Sequence, residues 1–155
     1  MAKIEAESHL KSESRISAEG RVDRHSLRLI VVTPEATVLD ELVDFVALPL
    51  FDGEIGIAPA RSPLIGRLGY GELRLVAGGQ TRRFYIDAGF VQVANNEVSV
   101  LTNRAVPAAS IDPAVAQEHL TQARHRKTNS DESLAARDRL ESQARGQLRV
   151  AAHTR

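Results

Sequence analysis

The 155-residue chain contains no cysteine and no tryptophan, and its only aromatic residues besides histidine are four phenylalanines and two tyrosines. Without cysteine there are no disulfide bonds, thiolate metal ligands or cysteine nucleophiles. The formal net charge is +0, so no overall charge attracts the chain to nucleic acid or anionic lipid. No apolar run approaches the roughly 18–20 residues that a membrane-spanning helix needs. With 43% hydrophobic residues, the composition predicts a compact soluble protein of about one domain.

Catalytic and metal-ligating clusters are also missing from the sequence pattern. No G-x-S-x-G motif occurs, and Asp40 and Glu41 are neighbours whose side chains point to opposite faces of a strand. The histidines are too far apart for zinc-ligand spacing, and none falls in the apolar region between residues 27 and 101. We therefore expect no catalytic residues, no metal and no cofactor. The five histidines are His9, His25, His119, His125 and His153.

Two other patterns resemble binding motifs only superficially. The glycines of residues 66–71 have the spacing of a phosphate-binding loop, but Glu72-Leu73 follows instead of Lys-Ser/Thr. We therefore expect a turn between strands there. The basic pair Arg82-Arg83 and the basic run at residues 124–127 lack interleaved aromatic residues, so nucleic-acid binding is not expected.

The alternation of apolar and polar residues divides the chain into three segments. Residues 1–25 mix charges of both signs with serines, which predicts a flexible leader. Residues 26–104 hold short apolar runs between turn-forming residues, which predicts an antiparallel β-sandwich. Residues 105–155 change to a helical period, which predicts a C-terminal antiparallel α-helical hairpin. The predicted fold class is thus α+β, mainly β.

Two β-hairpins are expected within the sandwich. Residues 77–80 connect strands at 71–76 and 82–86, and Asn95-Asn96 connects the strand at 90–93 to the one at 97–101. Alternation directs one set of side chains to the core and another outward. The core set is Leu73, Leu75, Val91, Val93, Val98 and Val100, and the outward set is Arg74, Gln92 and Ser99.

The helical segment begins at Asp112-Pro113, because aspartate caps a helix and proline fits its first position. This helix is expected to run to about Lys127. Asn129 with Glu132 resembles a capping box that opens the second helix. Apolar residues recur every four positions along that helix and predict a narrow packing seam, formed by Ala136, Leu140, Ala144 and Leu148.

Residues 52–64 combine two glycines, two prolines and several apolar side chains. A stiff loop of this kind either fills a gap in the core or serves as a docking surface. The sequence pattern leaves both possibilities open for Ile55, Ile57, Leu64 and Ile65.

Residues 53–64 read GEIGIAPARSPL and resemble the signature G-E-[LF]-G-[IV]-x-P-x-H-x-P-L of the epsilon subunit of F-type ATP synthase. Further segments follow in the order that this family has. They are GELRLV at 71–76, YIDAGFVQV at 85–93, VSVL at 98–101, Ile111-Asp112 at a helix start and QLRV at 147–150. The resemblance extends from Leu27 to about Ala152.

The resemblance implies a non-catalytic rotor subunit that couples proton flow to ATP synthesis. The sandwich would lie between the gamma subunit and the c-ring, at the cytoplasmic face of the bacterial inner membrane, held there only through the complex. The hairpin would fold against the sandwich or extend to the catalytic head subunits, where it blocks ATP hydrolysis. The signature residues expected at the subunit interface are Glu54, Gly56, Pro59, Arg61, Ser62, Pro63 and Leu64.

The chain departs from the family pattern at several positions. Arg61 replaces the histidine of the signature, and at the variable position before it Ala60 stands where the resemblance implies glycine. Some bacterial members bind ATP through I/L-D-x-x-R-A; Asp112 and Ala116 keep that motif, whereas Val115 stands in place of its arginine. Loss of a guanidinium that pairs with phosphate predicts weak or absent ATP sensing.

The second helix is expected to dock only marginally, because its seam is half alanine and Gly146 costs about 1 kcal/mol relative to alanine. We hypothesise that the hairpin exchanges between docked and extended positions. Four arginines would then meet acidic surface on the catalytic head, although a solvated helix face explains them equally well: Arg137, Arg139, Arg145 and Arg149. The competing interpretations are a free-standing β-sandwich ligand-binding module with a helical tail and, more weakly, a barrel enzyme.

Overall fold

The computed structural model describes residues 26–154, so the segment predicted as a flexible leader lies outside the described residues. Eight strands come first, followed by a short 3-10 turn at Ala108–Ser110 and two helices, α1 (Pro113–His125) and α2 (Asp131–His153). The strands are β1 (Leu27–Val32), β2 (Thr37–Val43), β3 (Phe45–Leu50), β4 (Gly53–Ile57), β5 (Leu64–Ala77), β6 (Gln80–Ala94), β7 (Glu97–Leu101) and β8 (Ala105–Pro107).

The strands form a sandwich in the order β2-β1-β7-β6-β5-β3-β4, with β8 paired to β6. All neighbouring pairs are antiparallel except β1 and β7, which run parallel. The α+β fold class, with a sandwich followed by two helices, is thereby confirmed. Because β8 covers residues 105–107, the sheet continues past residue 104.

Both expected hairpin turns form. The β6–β7 turn is made by Asn95 and Asn96 at φ 52° and 57°, and the β5–β6 turn by Gly78 and Gly79 at φ 57° and 76°. Two consecutive positive φ angles give a turn whose twist matches the flanking strands. Asparagine and glycine are the residues that adopt this conformation at least cost.

One continuous apolar core lies inside the sandwich. All six side chains that alternation directs inward are buried there, which confirms that prediction. The core is built from seventeen buried residues: Leu27, Leu29, Val31, Leu39, Val43, Val46, Leu48, Ile57, Leu68, Leu73, Leu75, Phe84, Ile86, Val91, Val93, Val98 and Val100.

The prediction of a turn at residues 66–71 is wrong, because these residues lie inside the 14-residue strand β5. Their glycines serve close packing instead of chain reversal. A Cβ added at Gly69 would lie 2.8 Å from the carbonyl oxygen of Leu50, and one at Gly71 would lie 3.2 Å from Cβ of Pro49. Glycine in a strand commonly marks such an approach of another backbone.

Both helices begin near the expected residues, with two differences. Helix α1 is capped by Asp112, whose Oδ1 accepts from the Ala114 N–H at 2.9 Å, and it ends at His125, before Lys127. The cap of α2 is Ser130 and not Asn129, because Ser130 and Ser133 bond reciprocally through their hydroxyls and backbone N–H groups. No helix in the described chain is both long and apolar enough to cross a membrane.

Candidate functional site

The segment that carries the family signature is half strand and half turn. Residues Gly53–Ile57 form β4 at one edge of the sheet, where they pair with β3. Ile57 is fully buried, and Ile55 and Leu64 pack against the core from the side. Of the two possibilities left open by the sequence, these three residues contribute to the core. Ile65 is 79% exposed and is available for docking.

The turn that follows β4 is anchored to the turn between β6 and β7. Ala60 has φ 64°, and its N–H donates to Oδ1 of Asn96 at 2.7 Å. This left-handed conformation favours glycine, so alanine is the more costly residue at this position. Arg61, Ser62 and Pro63 next to it are exposed, and Pro59 is half-buried. Within residues 26–154, Arg61 makes neither a hydrogen bond nor an ion pair.

Two further signature residues have visible structural roles. Glu54 is exposed and lies 3.7 Å from the guanidinium of Arg74, which also faces Glu72 at 3.8 Å. Gly56 lies under an aromatic ring, since an added Cβ would be 2.9 Å from Cζ of Phe45. A larger residue at position 56 would therefore push that ring away from the strand.

A row of large apolar side chains is exposed on the outer side of the sheet next to the signature. Phe90 on β6 pairs with Leu101 on β7, and on its other side with Arg67 of β5. Phe90 is 60% exposed, Leu101 55%, and Ile65 lies on the same face of β5 two residues before Arg67. We call Ile65, Phe90 and Leu101 the outer apolar face. Ile65 pairs with Gln92 and is therefore a diagonal neighbour of Phe90. Large apolar side chains exposed together on one face of a sheet typically mark an interaction site.

Sequence reasoning missed the outer apolar face, although the signal was present. Gln92 is one of the residues that alternation directs outward. Phe90 lies two positions before it and so shares its face of the strand. Only the sheet pairing could add Leu101, because that residue belongs to the neighbouring strand.

Helix α2 docks directly on the backbone of β5 and β6, and we call this contact the helix–sheet seam. A Cβ added at Gly146 would lie 2.8 Å from the carbonyl oxygen of Tyr70, so glycine permits the close approach. Gly146 is therefore not only a cost to the helix but also a point where the helix and the sheet backbone lie close together. The predicted seam is wrong for Leu140, which is 37% exposed. Of its four residues only Ala144 is buried, and the residues that α2 buries are Ala144, Gly146, Gln147, Val150 and Ala151.

Three polar contacts cross the helix–sheet seam. Nε2 of Gln143 donates to Oδ2 of Asp87 at 2.8 Å. Nη2 of Arg149 donates to the carbonyl oxygen of Tyr70 at 3.2 Å. Near the end of α2, Nδ1 of His153 lies 3.5 Å from Oε2 of Glu72. Because these contacts are directional, they fix the orientation of α2 on the sheet, although the apolar part of the seam is small.

The apolar part of the seam surrounds Tyr85, which is fully buried among Ala108, Ile111, Val150 and Ala151. Burial raises the pKa of the Tyr85 hydroxyl, and the charge of Asp87 raises it further. Burial also raises the pKa of the Asp87 carboxyl, against the opposing effects of the hydrogen bond from Gln143 and the charge of Arg104. The seam therefore contains an acid that is costly to ionise.

The four arginines proposed for the extended hairpin are engaged to different degrees. Arg145 lies 3.1 Å from Glu141, Arg137 lies 3.8 Å from the same carboxylate, and Arg149 bonds to the sheet. Arg139 is exposed and, in the part of the chain that the structure describes, forms no ion pair. The docked hairpin thus leaves only Arg139 fully available to a partner.

Asp112 and Ala116, the residues kept from the ATP motif, do not line the cavity between the helices. The Asp112 carboxylate caps α1, Ala116 is buried, and Val115 is 44% exposed. A cavity of about 610 Å³ does lie between the helices, where its lining includes Arg104 and Gln143 but neither Asp112 nor Ala116. No group of three or more potential metal ligands occurs among residues 26–154.

Comparison with known proteins supports the resemblance of the signature. Residues 26–108 match the family described as "ATP synthase, Delta/Epsilon chain, beta-sandwich domain". The ATP synthase epsilon chain of Rhodopirellula baltica is 46% identical over 125 residues, which cover 81% of this chain and 98% of the relative. That of Carboxydothermus hydrogenoformans is 45% identical over 100 residues, covering 64% of this chain and 75% of the relative.

Solved structures show the same fold. A chain in the cryo-EM structure of the Euglena gracilis mitochondrial ATP synthase matches with a TM-score of 0.71 and 24% identity, over 84% of this chain and 82% of the other. Together with the sequence relatives, this decides against a free-standing ligand-binding module and a barrel enzyme. The chain belongs to the ATP synthase epsilon chain family, the non-catalytic subunits of the rotor of that enzyme.

Proposed function

We propose that the sandwich contacts the gamma subunit and the c-ring and so helps couple proton flow to ATP synthesis at the cytoplasmic face of the bacterial inner membrane. The outer apolar face is the observation that carries this proposal. Ile65, Phe90 and Leu101 are large, exposed and carried on paired strands of one rigid sheet. Aromatic side chains presented in this way commonly dominate the binding energy of an interface.

The outer apolar face and the signature turn suit different partners, because they differ in polarity and in their place in the fold. The outer apolar face suits a packed contact with the gamma subunit, because its residues lie on strands and not on a loop. The exposed turn with Arg61, Ser62 and Pro63 suits a polar contact with the c-ring. The unpaired guanidinium of Arg61 could form charge-assisted bonds in place of the imidazole of the family signature.

Co-expression with the gamma subunit tests the apolar contact. The double variant Phe90→Glu with Leu101→Glu should lose co-purification of gamma, because it places two charges on the outer apolar face. Leu134→Glu is the matched control, since Leu134 is 41% exposed on α2, away from the sheet. Far-UV circular dichroism checks that each variant folds. Wild-type gamma binding by the folded double variant would reject the outer apolar face as the contact.

The signature turn is tested in membranes. Arg61→Ala should lower ATP-driven proton pumping per ATP hydrolysed, because the c-ring contact would slip under torque. Arg82→Ala is a matched removal of an arginine near the start of β6, at the opposite end of that strand from Asn96, and it should leave that ratio unchanged. An unchanged ratio in Arg61→Ala would exclude Arg61 from the coupling contact.

The inhibitory role proposed for the hairpin is tested by Gly146→Ala. The added methyl would clash with the Tyr70 carbonyl and so release α2, while alanine strengthens the helix itself. If the extended hairpin blocks hydrolysis, the assembled complex should hydrolyse ATP more slowly. Ser142→Ala, at an exposed position of α2, is the control for helix propensity. Unchanged or faster hydrolysis by the Gly146→Ala complex would contradict inhibition.

ATP sensing by the hairpin is proposed to be weak or absent. The Asp112 carboxylate is already used as a helix cap, and valine occupies the position of the phosphate-binding arginine. Isothermal titration of ATP into the chain should therefore show no binding at micromolar concentrations. Micromolar affinity would overturn this proposal.

A further inference from the structure

Asp87 is the only acidic side chain that is buried in the described part of the chain. It lies on β6 under α2, and its Oδ2 accepts the 2.8 Å hydrogen bond from Gln143. Its backbone N–H donates to Oγ1 of Thr102 at 3.1 Å and to the carbonyl oxygen of Arg104 at 3.0 Å. The sheet therefore fixes the backbone of Asp87, whereas the hydrogen-bond partner of its carboxyl group comes from the hairpin.

The groups that surround this carboxyl group define its charge environment. Arg104, in the connection between β7 and β8, is the nearby cation, and Tyr85 lies on the same strand. Tyr70 pairs with Asp87 from β5. Helix α1 and its C-terminal cap contribute His119, His125 and Arg126 to the cavity that Arg104 and Gln143 also line. The buried side of α2 contributes Gln143 and Gln147, both uncharged.

We propose that Asp87 and Gln143 form a proton-linked latch, in which protonation of Asp87 favours the docked hairpin and ionisation favours its release. The carboxyl group loses solvent when α2 docks, so the docked state disfavours the charged form. Its regulatory meaning rests on the proposed function, because a released hairpin is the one that would reach the catalytic head. Acidification would thus hold the hairpin in the docked, non-inhibitory position.

The direction of the pH effect follows from linkage. Burial raises the pKa of Asp87 in the docked state, and release returns the pKa toward the ordinary aspartate value of 3.8. Because the docked state holds the proton more tightly, docking is strongest below the ordinary pKa. It weakens as pH rises from that value to the raised pKa and is constant above it. A single proton limits the change to about tenfold per pH unit.

Hydrogen exchange in the isolated full-length chain tests the latch. The protection factors of the Ala144, Val150 and Ala151 amides are measured by NMR between pH 4 and 7, and they should fall as pH rises. Protection factors are used because they divide out the intrinsic pH dependence of amide exchange. In a His153→Ala background, which removes the contact of α2 with Glu72, Asp87→Asn should abolish this dependence, and Gln143→Leu should extend it to higher pH. Asp44→Asn is the matched control, since Asp44 accepts from the Gly78 N–H at 3.0 Å, in a turn of the sheet.

Two results would overturn the latch. One is a flat pH profile of α2 protection in the unaltered chain, and the other is an Asp87→Asn, His153→Ala double variant that keeps the profile of His153→Ala alone. If Asp87→Asn fails to fold, the carboxyl carbon shift of Asp87 in the unaltered chain decides the matter, and a titration midpoint at or below 3.8 refutes the latch. The assay contains no other synthase subunit, so its failure would leave the rotor contacts standing, and loss of gamma binding would leave the latch standing.

Discussion

The sandwich and the hairpin of this chain are held by very different amounts of apolar packing. The sandwich core unites seventeen buried residues, nearly all of them Leu, Ile and Val. The helix–sheet seam unites Tyr85, Ile111 and Val150 with two alanines. Since stabilisation scales with the apolar area removed from water, the hairpin can leave the sheet at a cost far below that of unfolding the sandwich.

This difference teaches that one small protein can combine a rigid contact surface with a movable element. The outer apolar face and the signature turn belong to the rigid part. The seam compensates for its small apolar area with close approach at Gly146 and with bonds from Gln143 and Arg149. Such contacts are directional and are lost together once the helix lifts.

The largest expected effect is a loss of stability of the sandwich core. Leu75 is fully buried, and Leu75→Ala should lower the free energy of unfolding by about 3 kcal/mol through lost burial and a cavity. Urea denaturation measures this change. Exposed Leu42→Ala is the control, and a loss below that of Leu42→Ala would contradict the packing described here.

A smaller and local effect is expected in the seam. Val150 is 1% exposed, and Val150→Ala should weaken docking by about 2 kcal/mol, while the free energy of unfolding the sandwich stays unchanged. Amide exchange of α2 and of β7 reports the two regions separately. If β7 lost as much protection as α2, the two regions would form one cooperative unit.

A stabilising effect of about 1 kcal/mol is expected at the signature turn. Ala60 has φ 64°, so Ala60→Gly should relieve the cost of a left-handed alanine and raise the urea midpoint. Ala58→Gly, at an exposed position of the same turn, should instead be neutral or destabilising. A lower midpoint for Ala60→Gly would show that the turn does not hold this conformation.

The smallest expected effect separates the two regions by the sign of their pH dependence. Hydrogen bonds from Arg28 at 2.9 and 3.0 Å lower the pKa of the Asp40 carboxyl, opposite to Asp87. The pair stabilises the sandwich above the ordinary aspartate pKa, and this contribution is lost as pH falls through the lowered pKa. The urea midpoint should therefore fall less between pH 5 and pH 3 in Arg28→Ala than in the unaltered chain. An equal fall in both would contradict a stabilising Arg28–Asp40 pair.

Much of the fold could be predicted because local signals agree with the tertiary structure. Alternation identifies the core positions of β5, β6 and β7, and Asp112-Pro113 identifies the start of α1. The signature identifies β4 and its turn as a special region. These features depend on backbone conformation and burial of neighbouring residues, which the sequence carries directly.

The remaining features depend on contacts between residues far apart in the chain. Gly69 and Gly146 each accommodate a distant backbone, so their local sequence suggests a turn and a weak helix instead. The buried side of α2 is selected by the sheet beneath it, and not by the four-residue repeat of alanine and leucine. The pairing of Phe90 with Leu101 likewise needs the strand register.

Amide hydrogen exchange of the full-length chain at neutral pH tests the central contrast most directly. The amides on the docked side of α2, from Ala144 to Ala151, should exchange through an opening that leaves the amides of Val91, Val98 and Val100 fully protected. Equal opening free energies for the two sets, shifting together with added urea, would show that hairpin and sandwich open as one body and would contradict the account.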